Sequence, residues 1–192
     1  MKRILALLVS VVSIALMAGS AGAATLNIVG GQLMGASDVI VDGSSYNVEF
    51  LDGTCIALYN GCDSASDFTF QSVAAALLAS QALLDQVFVD GPYAFDTNPE
   101  TVFGCESVDF CDTTTGYALS GGSGVFLIAV ARNSAPSYAS DIAYPADLER
   151  ATDTGSFEAG NFAVWAPVPE PATATLLGLG LLGLSGRKRR EG

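Results

Sequence analysis

Residues 38–52 read DVIVDGSSYNVEFLD, with apolar side chains on alternate positions. Val39 and Val41 precede an Asp42-Gly43 pair, and Tyr46, Val48 and Phe50 follow it. Alternation turns one face of a strand toward a core, and Asp-Gly supplies the positive φ values that a tight hairpin turn needs. A β-hairpin is predicted here, and Phe68-Thr69-Phe70 is a short strand candidate. From 72 to 89 (SVAAALLASQALLDQVFV) the period becomes helical. Val73, Ala76, Leu77, Leu83, Leu84, Val87 and Phe88 share one face at 3.6 residues per turn, with Ser80 the polar intruder. Ser72 suits the N-cap, and Gly91-Pro92 forbids continuation beyond the end.

Further on, 115–119 is a weak strand. Residues 124–131 (GVFLIAVA) form a nearly continuous apolar run, which predicts a central strand covered on both faces. Residues 157–165 (FEAGNFAVW) predict a final strand. Several strands and one helix without a βαβ rhythm predict an α+β fold, an antiparallel sheet packed with one main helix.

The two ends of the 192-residue chain follow other rules. Lys2 and Arg3 precede an apolar run over 4–17, and Ala21-Gly22-Ala23 offers an A-x-A cleavage site. This is the three-part pattern of a secretory signal peptide, predicted over 1–23 with cleavage after Ala23 or Ala24. The apolar run spans only ~21 Å as a helix, short of a ~30 Å hydrocarbon core. At the other end Pro169, Glu170 and Pro171 lead into 172–186 (ATATLLGLGLLGLSG). Arg187, Lys188, Arg189 and Arg190 follow at once, a basic stop that stays on the cytoplasmic side. The apolar stretch predicts a short transmembrane helix of ~22 Å.

The order Pro-Glu-Pro, short apolar stretch, basic terminus resembles the PEP-CTERM sorting signal of bacterial surface proteins. The resemblance covers about 168–190. It implies as partners the secretion machinery, an exosortase-type membrane protease acting near the motif, and the membrane itself before processing. It also implies a host that makes extracellular polysaccharide. Three stretches of the middle region, 41–55, 79–92 and 162–171, look like uncharacterised bacterial secreted proteins that carry the same tail. The predicted organisation is a signal peptide (1–23), an exported domain (24–166) and a sorting tail (167–192).

Charge sharpens this picture. Between 25 and 167 only Arg132 and Arg150 are basic, against eighteen Asp and Glu, a net of −16 with no lysine or histidine. Such a surface repels phosphates, which argues against nucleic acid as a partner. All four cysteines, Cys55, Cys62, Cys105 and Cys111, lie in this exported region, where disulfides are expected. Three pairings are open; Cys55–Cys62 with Cys105–Cys111 is favoured because each closes a short polar loop. A zinc site lacks histidine and a C-x₂-C pair, and a thiol nucleophile lacks a histidine base, so no metal, cofactor or catalytic residue is assigned.

The carboxylates carry the remaining chemistry. Asp63 and Asp67 flank one loop, and Glu106, Asp109 and Asp112 crowd another. They leave two alternatives, a calcium-dependent binding module and a carboxylate-dependent secreted hydrolase. The leading expectation is an exported, non-enzymatic surface or extracellular-matrix protein with a structural or binding role, linked to exopolysaccharide.

Overall fold

The computed structural model describes residues 23–121 and 124–169. They form seven strands: β1 (Thr25–Val29), β2 (Gln32–Val41), β3 (Ser44–Leu51), β4 (Phe110–Leu119), β5 (Val125–Ser134), β6 (Ile142–Glu149) and β7 (Gly160–Pro167). A one-turn helix α1 (Cys55–Leu58) and a long helix α2 (Val73–Gln86) lie between β3 and β4. All seven strands join one sheet in the order β1-β2-β3-β7-β4-β5-β6.

Local chemistry explains most of these elements. Asp42 and Gly43 adopt positive φ (48° and 80°) in the two-residue turn between β2 and β3, with Val41 opposite Ser44. Ser72 caps α2, its Oγ accepting from Ala75 N at 3.2 Å. The helix ends at Gln86, three residues before the expected end, where Phe88 N passes over Leu84 O and returns to Leu83 O, which already accepts from Val87 N. Its buried residues are Ala76, Ala79, Ser80, Ala82 and Leu83. Val73, expected on the core face, is 41 % exposed. The contact stripe is built of small residues, which seats α2 close over Ala129 and Ala131 of β5. Phe68-Thr69-Phe70 is not a strand; Thr69 instead donates its Oγ1 to Trp165 O at 2.6 Å.

The antiparallel expectation needs correcting. β1-β2-β3 and β4-β5-β6 are two antiparallel meanders, but β7 enters between them antiparallel to β3 and parallel to β4. The sheet is therefore mixed. β6 and β7 run in the same direction, so residues 150–159 must return along the whole sheet before β7 can start. Among the described residues no helix is long and apolar enough to cross a membrane. Both the signal-peptide stretch 1–22 and the apolar stretch 172–186 lie outside the described residues.

Strand alternation supplies two cores, one on each face. Val48, Phe50, Tyr117, Ala129, Ala131, Ala163 and Trp165 point toward α2. Phe126, Ile128, Val130 and Phe162 point the other way, toward Tyr59, Phe68 and the Cys55–Cys62 pair.

Candidate functional site

The second face is covered by irregular chain, and its boundaries are set by the crossover 150–159. Two disulfide-closed loops hold the crossover, one toward each end. Cys55 pairs with Cys62 and Cys105 with Cys111, at Cα separations of 5.6 and 5.7 Å. At the upstream end, Arg150 O accepts from Ile56 N (3.4 Å), and Arg150 Nη1 donates to Cys62 O (3.1 Å). Thr154 N donates to Gly53 O (2.9 Å), and Gly53 N donates to Thr154 Oγ1 (3.1 Å). At the downstream end, Glu106 N and Ser107 N both donate to Glu158 O (2.6 and 2.8 Å). Asp112 N donates to Ala159 O at 2.9 Å.

Between the crossover and the sheet lies an open groove of about 740 Å³. Ile128, Val130, Ala146 and Leu148 give it an apolar wall, while Thr152, Thr154 and Glu158 add polar groups from the crossover. Phe157 lines the mouth and is 54 % exposed.

One corner of the groove is a fixed polar set. Arg132 Nε donates to Asp112 Oδ1 (2.7 Å) and Arg132 Nη2 to Asp112 Oδ2 (2.6 Å), a bidentate pair. Arg132 Nη2 also donates to the Tyr144 hydroxyl (3.0 Å), which in turn donates to Asp112 Oδ2 (3.2 Å). The guanidinium lies 4.4 Å from the Phe110 ring centroid and 5.4 Å from that of Tyr144, within cation–π range. The hydrogen-bonded Asp112 carboxylate holds the guanidinium even more firmly protonated. Burial, then the Asp112 charge, raises the Tyr144 hydroxyl, so it stays a donor at neutral pH. Tyr138 stacks on Phe110 at 5.5 Å and extends the aromatic surface.

A smaller cavity of about 280 Å³ lies beside Cys105, lined in part by Asp52, Glu106, Ser156 and Glu158. Burial raises the Asp52 carboxyl, opposed by the Thr154 hydroxyl at 3.3 Å and reinforced by Asp153.

The carboxylates singled out in the sequence do not converge. Asp67 caps a turn through Ser64 N (2.9 Å) and Asp63 N (3.1 Å), on a different segment from the 105–112 loop. In that loop, Asp109 O accepts from Ala135 N (2.8 Å), Glu106 lines the smaller cavity, and Asp112 is held by Arg132. Among the described residues no group of three or more acidic, cysteine or histidine side chains is arranged to hold a metal ion. Of the sorting-motif residues only Pro169 is described, and it is exposed; Glu170, Pro171, Arg187, Lys188, Arg189 and Arg190 lie outside the described residues.

Sequence reasoning did not single out Arg132, Tyr144 or Phe157. One signal was present. A basic residue at the end of an apolar strand, in a domain with one other basic residue, must find an acid or a carbonyl. Arg132 takes Asp112, and Arg150 takes the carbonyl of Cys62.

The site is thus a stapled groove on a disulfide-bonded sheet. Comparison with protein families matches residues 167–190 to the PEP-CTERM protein-sorting motif. Tails of this kind mark proteins exported to the cell surface or extracellular space, and they imply processing by an exosortase. No curated protein and no solved structure matches the chain.

Proposed function

We propose that this protein is a non-enzymatic component of the cell surface or extracellular matrix that holds a polysaccharide chain in the groove under the crossover. The observation that carries the reading is an exposed Phe157 ring in the same groove as Asp112 and Tyr144, both fixed by Arg132, in a chain with a surface-sorting tail. Sugar rings present apolar C–H faces that pack on aromatic rings, and hydroxyls that bond to fixed polar groups; the groove offers both. With eighteen acids against two basic residues over 25–167, the partner is a neutral or amino-sugar polymer, since an anionic one would be repelled.

A binding role is favoured over hydrolysis by the chemistry of the groove. Two-carboxylate hydrolysis needs a proton-carrying acid facing a carboxylate across the scissile bond. Asp112 is locked in a bidentate pair with Arg132, which leaves Glu158 as the other carboxyl lining the groove.

The test is a titration of the mature protein, recovered from its host, with exopolysaccharide extracted from that host. Saturable binding is expected, and Phe157→Ala should weaken it by roughly three- to tenfold at unchanged Tm. Absence of binding, or release of new reducing ends, would overturn the proposal.

A further inference from the structure

The sorting segment and the folded sheet overlap. The matched segment begins at Pro167, which is also the last residue of β7 and sits opposite Tyr46. One residue further, Val168 N donates to Ser45 O at 2.9 Å. Sheet pairing therefore reaches the residue immediately before Pro169.

This end of β7 is firmly held. The Trp165 ring lies 5.5 Å from Phe70 and 6.3 Å from Tyr46, both edge-on. Its Nε1 donates to Thr115 Oγ1 (3.0 Å), and its carbonyl accepts from Thr69 Oγ1 (2.6 Å). Pairing with β4 stops at Phe162, so β3 is the strand that holds β7 beyond that point. A protease that takes an extended substrate adds it to its own edge by main-chain hydrogen bonds on both sides of the cut. The residues just before the motif already give theirs to β3.

We infer that the folded domain and the processing protease compete for residues 165–168, so that tail removal requires the Ser45–Val168 end of the β3–β7 ladder to open. The protease-facing surface is then the pole of the sheet formed by the Asp42-Gly43 turn and the end of β7. Tail removal reports local opening of this pole, and a domain that has closed its last strand is processed slowly.

Pulse-chase of the full chain in its host, read as the fraction that has lost its C-terminal mass, tests this. A spacer of roughly ten Gly and Ser residues, a flexible coil, placed between Val168 and Pro169 should raise the processing rate severalfold. A cross-link made by Asn47→Cys with Ala166→Cys should lower it; these residues are directly opposite and both exposed. Each single replacement should leave the rate unchanged. A spacer variant processed at the native rate would overturn the inference whatever the cross-linked chain does.

Discussion

The two faces of the sheet are closed by different means. On one face, α2 supplies its own backbone hydrogen bonds and lays Ala76, Ala79 and Leu83 against Ala129 and Ala131. Close contact between small residues leaves little space, and the Gln86 amide fastens the helix end to Ile40 N and O (2.9 and 2.8 Å). On the other face the core is closed by the segment 55–68, and beside it runs the crossover 150–159, with a 3₁₀ turn at Thr154–Ser156, which borders the groove. The crossover's polar backbone cannot satisfy itself, so it borrows partners from Gly53, Ile56, Cys62, Glu106 and Ser107, and two disulfides brace those lenders. The lesson is physical: a regular helix satisfies its own backbone and can lie close on a face, whereas irregular chain must borrow partners and here borders a groove.

If this contrast is right, damage on the two faces should spread differently. The largest effect is expected for Leu83→Ala, at fully buried Leu83 in the helix-side core. A loss of about 2–5 kcal/mol is expected, with fluorescence and circular dichroism falling together in urea because this core is shared by the whole sheet. Next comes Cys55→Ser with Cys62→Ser, which opens a short loop and should cost about 2–3 kcal/mol. Here hydrogen exchange should speed first over 150–159 while α2 stays protected. Equal acceleration on both faces would break the comparison.

The smallest effect concerns pH. Burial raises the Asp96 carboxyl to about 6, with the Asp141 carboxyl and the Asp90 charge adding to the shift. Asp90 is lowered by hydrogen bonds from Thr97, so it is ionised when Asp96 begins to titrate. A raised folded-state pKa means the folded protein binds more protons than the unfolded chain between the ordinary carboxyl value of 3.8 and about 6. Stability from this group is present at the acidic end, declines as pH rises through that window, and stays low above it. Asp96→Asn should flatten the slope and raise Tm at neutral pH, read from thermal melts across pH 4 to 7 (about the range set by the usual and shifted carboxyl pKa).

Parts of the fold were legible because their causes are local. Asp42-Gly43 dictates its hairpin turn, Ser72 its helix start, and the apolar run of β5 its coverage on both faces. β1 and β6 were not read. Thr25–Val29 is a short edge strand set off by the Gly30-Gly31 turn, and Ile142–Glu149 carries Pro145, Asp147 and Glu149, which suit an edge and mask the strand signal. The favoured cysteine pairs follow from short loop closure, but nothing in their spacing says that both loops brace one crossover. Of the carboxylates flagged by crowding, Asp67 serves a cap, Asp112 an ion pair, and Glu106 lines the smaller cavity.

By itself the sequence determined the destination, since a sorting signal is read as a linear string by membrane and protease, and the match over 167–190 needs no fold. It also determined the hairpin, the helix start and the acidic surface, each set by neighbours within a few residues. Only the tertiary structure decided the mixed sheet, the crossover and the groove. Those depend on β7 choosing β3 and β4, strands far away in the chain, and pairing partners at such distance leave no local mark.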